Sequence, residues 1–158
     1  MNTQNDIILR SAKPGEHAIL TDLCMRSKAV WGYDEQFMER CRVELTLNKA
    51  ACTSPNLRVA ERIGTILGIA EIATTDDGCF LEKLFVDPQQ QSAGVGRILF
   101  DWSKNRAATL RQDELIIEAD PGAVGFYRKM GATLAGETAS QSISGRSLPK
   151  LVLPLSPI

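Results

Sequence analysis

The chain has 158 residues, which is enough for one domain with a sizeable hydrophobic core. Its 18 Lys and Arg residues are balanced by 19 Asp and Glu residues, and this argues against a nucleic-acid-binding protein, which usually has a basic excess. No apolar run reaches the roughly 20 residues of a membrane-spanning helix, and the N-terminal sequence lacks the pattern of a secretory signal. We therefore expect a single domain over residues 1–158, in the cytoplasm, without a membrane or nucleic-acid partner.

The chain lacks the residue spacing of a metal site. Its four cysteines form no C-x-x-C pair, and His17 is the only histidine. Zinc needs Cys and His ligands at close and regular spacing, so no metal is expected. Free cysteines are usually buried, and we expect reduced and mostly buried thiols here. These cysteines are Cys24, Cys41, Cys52 and Cys79.

The first third of the chain predicts a strand and two helices. Residues 5–12 form the strand, and residues 14–16 open the first helix. Asp34 is the predicted N-cap of the second helix. Each helix has one small or apolar face at helical spacing. These faces consist of Ile19, Leu20, Leu23, Cys24 and Ser27 in the first helix, and Phe37, Met38, Cys41 and Leu45 in the second.

The middle of the chain predicts three strands joined by tight turns. Gly64 marks the first turn and residues 76–78 mark the second. Pro88 stops the third strand, and a polar loop with two glycines follows it. The predicted strands are 57–63, 65–73 and 79–87.

The rest of the chain predicts a helix, a strand, a short helix and a final pair of strands. The long helix has an apolar face, and Gly131 ends the short one as a C-cap would. The order β-α-α-β-β-β-α-β-α-β-β predicts an α+β fold, with a mixed, mostly antiparallel central sheet and helices on both faces. The apolar face of the long helix consists of Val95, Ile98, Leu99 and Trp102. After it, the predicted strand is 114–119, the short helix is 121–131, and the final strands are 132–138 and 148–155.

The loop before the long helix has the features of a phosphate site. Gly94 and Gly96 lack side chains, so consecutive backbone N–H groups can turn toward one point. The first helical turn adds its own unpaired N–H groups and the positive end of its dipole, which suits a pyrophosphate. Arg97 follows Gly96 where a Walker loop needs Lys, and Leu99 stands where a dinucleotide loop needs a third glycine. The sequence therefore disfavours a nucleotide-phosphate protein.

Two motifs resemble those of the GNAT superfamily of N-acetyltransferases. The Gln-x-x-Gly-x-Gly of residues 91–96 follows a strand that ends in residues 84–88, as in the superfamily's acetyl-CoA signature. Residues 123–132 contain a Phe-Tyr pair and then a glycine, which resembles the second motif of that superfamily. The two motifs cover roughly residues 79–132, and the element order between them also matches.

The resemblance implies transfer of an acetyl group from acetyl-CoA to a primary amine of a small molecule or protein, by direct attack in a ternary complex. The strands through residues 84–86 and 116–118 would splay apart and admit the pantetheine arm, which pairs with free backbone groups. A backbone N–H near Phe85 or Val86 would then face the thioester carbonyl. The implied cofactor contacts are Leu84, Phe85, Val86, Gln91, Ser92, Ala93, Gly94, Val95, Gly96, Arg97, Asp120, Ala123, Phe126 and Tyr127.

Two proton transfers need side chains. Tyr127 matches the position of the superfamily's general acid, and core packing is its alternative role, to which Phe126 is better suited. Glu82 and Glu118 are the candidates for the base, and a water chain is the alternative. Of the two glutamates, we predict that Glu82 is the catalytic base and that Glu118 binds the acceptor.

The second motif departs from the superfamily's usual pattern at Asp120. An Asn that contacts the cofactor arm often occupies this position, but Asp120 followed by Pro121 also fits an ordinary helix start. Ser92 and Ala93 replace the usual basic residues of the first motif. Pyrophosphate binding must then depend mainly on backbone amides, with Arg97 nearby.

The acceptor pocket is expected at the loop between the first two helices, where the superfamily varies its specificity. Trp31 and Tyr33 place two aromatic rings around a glycine there, and the alternative is a loop that Trp31 anchors in the core. A different class of function also remains: a non-catalytic acetyl-CoA sensor or interaction module on the same fold. The intact Gly94, Gly96 and Tyr127 argue against it. A homodimer is left open.

Overall fold

The computed structural model describes residues 6–90 and 94–156. Its strands and α-helices follow the predicted order. The strands are β1 (Ile8–Arg10), β2 (Leu57–Arg62), β3 (Thr65–Thr75), β4 (Gly78–Val86), β5 (Glu114–Glu118), β6 (Thr133–Ala139) and β7 (Ser147–Pro154). The helices are α1 (His17–Ala29), α2 (Glu35–Leu45), α3 (Val95–Thr109) and α4 (Val124–Lys129), with 3-10 turns at Lys49–Thr53, Pro88–Gln90 and Pro121–Ala123.

The strands form one mixed sheet in the order β1-β2-β3-β4-β5-β7-β6. Within the described residues, β4 and β5 are parallel and the other neighbouring pairs are antiparallel. The parallel pair needs a long crossover, and α3 supplies it. The β2–β3 turn has only Ile63 and Gly64 between its strands, with φ of 50° and 76°, which matches the twist of a two-residue hairpin.

Helices pack against both faces of the sheet, as predicted. Ile69 and Ala70 are consecutive in β3, so their side chains point to opposite faces. Ile69 belongs to the buried cluster that contains the apolar residues of α1 and α2. Ala70 packs with Val95 and Leu99 of α3 on the other face. The α+β prediction is therefore confirmed.

Local sequence signals set several element boundaries. The Asp34 carboxylate accepts a hydrogen bond from the backbone N–H of Phe37 at 2.8 Å, so the predicted cap of α2 is confirmed. Gly131 follows α4 with a φ of 101°, as a helix stop requires. Two predicted faces need correction: Ile19 is 59% exposed, whereas Phe100, absent from the predicted face of α3, is fully buried.

All four cysteines are free and buried, as the sequence predicted. In residues 6–90 and 94–156, no helix has both the length and the apolar character needed to cross a membrane. The same residues contain no group of three or more His, Cys, Asp or Glu side chains that could hold a metal ion.

Candidate active site

A gap opens in the sheet between the two parallel strands. The ladder between β4 and β5, both fully described, has one registered pair, Phe80 with Ile116. β4 then continues to Val86 and β5 ends at Glu118, so the strands diverge beyond their first residues. A cleft of about 1130 Å³ passes through this gap, between the C-terminal parts of both strands, the end of α1 and the start of α4. It exceeds the roughly 300–1,000 Å³ of ordinary small-molecule sites, so it has room for a long ligand.

Most of the described residues that the resemblance assigned to the cofactor line this central cleft. Val95 is instead buried in the core, and Gly94 and Arg97 are exposed where α3 begins. The predictions for Gln91, Ser92 and Ala93 lie outside the described residues. The predicted cofactor residues that line the cleft are Leu84, Phe85, Val86, Gly96, Asp120, Ala123, Phe126 and Tyr127.

The N-terminus of α3 opens toward the cleft. Gly94 is its N-cap, with a φ of 96° that L side chains rarely adopt. Its carbonyl accepts the first helical hydrogen bond, from the Ile98 N–H at 2.9 Å, so the preceding N–H groups have no partner within the helix. A Cβ atom at Gly96 would lie 3.4 Å from the Phe126 ring. This backbone can bind an anion at the end of the cleft.

Tyr127 places a hydroxyl group in the cleft from a buried ring. The ring packs against Phe100 and Phe126, with centroid distances of 5.9 and 5.2 Å. In the part of the chain that the structure describes, its hydroxyl has no hydrogen-bond partner. Burial raises the pKa of Tyr127, and the negative charge of Asp120 raises it further. The hydroxyl therefore stays protonated at neutral and moderately alkaline pH, as a proton donor must.

Three carboxylates line the cleft. They belong to Glu44 of α2, Glu82 of β4 and Glu118 of β5. Partial burial raises the pKa of Glu118, the charges of Glu82 and Glu44 raise it further, and Lys150 opposes them. A carboxylate with a raised pKa is a better proton acceptor, and the three charges together favour a cationic ligand.

Lys83 also lines the cleft, although no predicted site included it. Its side chain is only 6% exposed and forms an ion pair with Glu71 of the neighbouring strand at 3.2 Å. Strand alternation would place Lys83 on the face of the buried Cys79 and Leu81, but the register shift between Glu71 and Ile72 puts Lys83 on the opposite face. The alternation of the strand therefore gave no valid signal for this site, and the buried charge is explained by its partner Glu71.

The two aromatic residues of the loop between α1 and α2 lie in different places. Trp31 lines the cleft, half-exposed, and its ring lies over Gly122, where a Cβ atom would come within 2.5 Å of a ring carbon. Only glycine leaves space for the indole there. Tyr33 is not among the cleft residues, and its ring stacks on Phe37 at 4.0 Å between centroids.

Asp120 holds a cluster of polar side chains at the edge of the cleft. Its carboxylate accepts hydrogen bonds from the Tyr33 hydroxyl, from Lys28 Nζ at 3.0 Å and from Arg146 Nη2 at 3.2 Å. Burial disfavours its charge, but these donors outweigh burial and lower the pKa of Asp120. Asp120 does precede a 3-10 helix with Pro121 at its start, but its side chain makes no cap hydrogen bond. The prediction that the Asp120 side chain caps this helix is therefore wrong, because the three donors occupy its carboxylate.

Known proteins match both the sequence and the fold. Residues 25–141 match the family model described as "Acetyltransferase (GNAT) domain". The peptidyl-lysine N-acetyltransferases YjaB of Escherichia coli K12 and of Salmonella typhimurium LT2 are 33% and 32% identical to this chain over 76 residues. The match covers 48% of this chain, and the chain spans about half the length of these curated relatives.

Solved structures share the fold over nearly the whole chain. A GCN5-related N-acetyltransferase from Rhodopseudomonas palustris superposes with a TM-score of 0.77 and 20% identity, over 96% of this chain and 98% of that one. The PaiA N-acetyltransferase from Thermoplasma acidophilum, solved in complex with coenzyme A, gives 0.72 and 14% identity over 94% and 99%. With the family match over well more than half of its length, the chain belongs to the GNAT acetyltransferase family.

Proposed function

We propose that this chain transfers the acetyl group of acetyl-CoA to a primary amine. The observation that carries the proposal is the central cleft, which joins the N-terminus of α3, the gap between β4 and β5, the Tyr127 hydroxyl and three carboxylates. These features serve the tasks of an acetyl transfer in order: binding the donor phosphates, placing the thioester, protonating the leaving thiolate and attracting the amine.

Acetyl-CoA supplies a thioester carbonyl that an amine can attack. The gap between β4 and β5 suits its pantetheine arm, which can pair with backbone groups as an added strand does. Backbone N–H groups near Phe85 and Val86 then lie beside the carbonyl, where one donor to the developing oxyanion is worth about 3 kcal/mol. Free N–H groups at the start of α3 bind the pyrophosphate.

The amine attacks the thioester directly rather than through an acetylated cysteine. None of the four cysteines lines the cleft. Burial also raises the pKa of Cys24 to about 12 and raises the pKa of Cys41 and Cys79, which keeps these thiols protonated and unreactive. Direct attack therefore needs a ternary complex of the chain, donor and acceptor.

Two side chains of the cleft manage the protons. Tyr127 donates its hydroxyl proton to the leaving thiolate, because burial keeps this group protonated. Glu118 accepts the proton of the incoming ammonium, directly or through a water molecule, since burial and the neighbouring negative charges raise its pKa and so strengthen it as a base. Glu82, the base predicted from sequence, acts in this proposal through its charge on Glu118.

The acceptor is a lysine side chain of a protein in this proposal, with a small primary amine as the alternative. YjaB is named a peptidyl-lysine N-acetyltransferase, and the carboxylates of Glu44, Glu82 and Glu118 favour an ammonium group. The cytoplasm is the proposed location, because it supplies acetyl-CoA and keeps cysteines reduced.

The test is a coupled assay of thiol release and product mass. Acetyl-CoA is mixed with lysine peptides and small amines, and each product is examined for a single added acetyl group. We expect thiol release that depends on the amine and an acetylated product. Binding of acetyl-CoA without release on any acceptor would favour the non-catalytic sensor. Absence of acetyl-CoA binding would refute both functions.

A further inference from the structure

The Asp120 cluster has a function that the donor and proton steps leave unassigned. We propose that Asp120 is a positioning residue that fixes the acceptor loop, residues 30–34, against the catalytic helix α4, and that its side chain does not contact the donor. The effect of Asp120 on the kinetics of the amine, its kinetic part, rests on the proposed acetyl transfer. The effect of Asp120 on the packing of the acceptor loop, its structural part, can be tested in the protein without any reaction.

The hydrogen bonds of the Asp120 carboxylate go to side chains of α1, the acceptor loop and the segment before β7, and none goes to the start of α3. Oδ1 accepts from the Tyr33 hydroxyl and from Arg146 Nη2, and Oδ2 accepts from Lys28 Nζ. Arg146 Nη2 also donates to the Tyr33 oxygen at 2.7 Å, which closes the cluster. Both carboxylate oxygens thus already have hydrogen-bond donors within the protein.

The partners of Asp120 come from two stretches of chain, and both are distant from Asp120 in sequence. Lys28 lies at the end of α1, Tyr33 in the acceptor loop, and Arg146 just before β7. The guanidinium of Arg146 also lies over the rings of Tyr33 and Phe37, at 5.1 and 4.9 Å from their centroids. One carboxylate therefore ties two segments, residues 28–33 and the residues before β7, to the chain after β5.

The chain position of Asp120 connects this cluster to the reacting groups. Asp120 is the second residue after β5 and directly precedes the 3-10 turn Pro121–Ala123, which leads into α4 and Tyr127. Two residues further along, Gly122 receives the Trp31 ring. The acceptor loop is thus held to the same short segment at two points, by the hydrogen bond from the Tyr33 hydroxyl to Asp120 and by the Trp31 indole packed on Gly122.

The charges make Asp120 hard to replace. The side chains of Lys28, Asp120 and Arg146 are only 12%, 11% and 19% exposed. Asn at position 120 preserves the size but leaves two partly buried cations facing each other without a counterion. Such a pair repels, so the acceptor loop and the Arg146 segment separate.

Kinetics and binding of Asp120→Asn test the kinetic part. We expect the KM of the amine to rise roughly tenfold, which corresponds to about 1.4 kcal/mol, and the Kd of acetyl-CoA by calorimetry to change less than twofold. Glu16→Gln is the matched control, because it breaks an ion pair with Arg10 of similar burial outside the cleft. A raised Kd of acetyl-CoA with an unchanged amine KM would overturn the proposal and make Asp120 a donor contact.

Fluorescence of the free protein tests the structural part without any reaction. The chain has two tryptophans, so Trp102→Phe leaves Trp31 as the reporter of the acceptor loop. In this background, Asp120→Asn is expected to raise acrylamide quenching of Trp31, and Glu16→Gln is not. Tyr33→Phe, which removes only the hydroxyl donor, should raise it as well and serves if Asp120→Asn folds poorly. Equal quenching in every variant would refute the proposal, even if the chain acetylated no amine.

Discussion

Burial and the carboxylates near Glu118 raise its pKa, and this predicts how the rate of the proposed reaction depends on pH. Its pKa is raised by partial burial and by the charges of Glu82 and Glu44. A base must be deprotonated, so kcat/KM for the amine should increase with pH through this raised pKa. Glu82→Gln removes one negative charge and should lower the pKa of Glu118, which moves the rising limb to lower pH. Rate profiles of both forms between pH 4 and pH 9 measure the shift.

The profile also decides which glutamate is the base. If Glu82→Gln abolishes the rising limb instead of moving it, Glu82 is the base that the sequence analysis predicted. Glu118→Gln should then keep the limb. Loss of the limb in Glu118→Gln alone supports the assignment of Glu118.

Tyr127 is tested by removal of a single oxygen atom. Tyr127→Phe keeps the ring and its packing on Phe100 and Phe126, so acetyl-CoA binding should remain. General-acid catalysis is typically worth about 10²–10⁴-fold, and kcat should fall by that order where thiolate departure limits the rate. Stopped-flow thiol release measures this step. An unchanged single-turnover rate would make Tyr127 a packing residue only.

Individual residues differ in how far their roles could be predicted from sequence. Asp34 was predictable as a cap, because its partner lies three residues away on the same helix. Tyr33 was expected at the acceptor, yet its hydroxyl is bound to Asp120, 87 residues further along the chain. Arg146 lies in a polar loop without periodicity, so no local pattern connects it to Asp120. Contacts of this kind depend on how distant segments meet in the fold.

At the scale of elements, the start of α3 is expected to set the affinity for the donor. Gly96 lines the cleft, and a Cβ atom there would already contact the Phe126 ring at 3.4 Å. Gly96→Val fills this space, so the thermal shift caused by acetyl-CoA should largely disappear. Gly125→Ala in α4 is the control, because nothing lies within 4 Å of its Cβ position. A full thermal shift in Gly96→Val would contradict the phosphate-site assignment.

Gly68 of β3 packs closely on Phe85 and Val86, the residues of β4 that the proposal places beside the donor. A Cβ atom at Gly68 would lie 2.6 Å from the Phe85 carbonyl oxygen and 3.2 Å from the Val86 Cα atom. Backbone cannot move aside as a side chain can, so Gly68→Ala should lower the free energy of unfolding by about 1–3 kcal/mol. Urea unfolding measures the loss. Gly125→Ala should instead be neutral or stabilising, by up to about 1 kcal/mol. An unchanged unfolding midpoint in Gly68→Ala would mean that β3 and β4 leave room for a methyl group at Gly68, contrary to the 2.6 Å approach.

The elements themselves were more predictable than the site. Hydrophobic periodicity and turn residues are local, and they predicted the order of strands and helices together with the stop of α4 at Gly131. The missed Phe100 and the exposed Ile19 show the limit of this approach. Periodicity indicates that a helix has an apolar face, but the neighbouring elements decide how wide the buried face is.

The whole molecule has two parts that meet at the cleft. One part contains β1–β4, and the other contains β5–β7 with α4. The strands of the two parts share one registered pair, Phe80 with Ile116, and α3 spans the boundary by packing on β3, β4 and β5. The alternation of side chains does not mark such a gap, because strands that pair fully and strands that diverge alternate alike; only the resemblance to the GNAT motifs predicted it.

Donor binding should therefore fasten the two parts together, which hydrogen exchange can detect. At 100 times its Kd, acetyl-CoA stabilises the folded state by about 2.7 kcal/mol, and a chain of this size should gain roughly 5–10 °C in Tm. In the proposed binding mode the pantetheine arm pairs with the diverging strands, so protection should concentrate in residues 84–86, in residues 117–119 and at the start of α3. The outer strands β1 and β6 should exchange as before. Gly96→Val with the same acetyl-CoA is the control and should show little added protection. Equal added protection across β1, β6 and the cleft strands would mean that the donor binds elsewhere or stabilises the chain without bridging the gap.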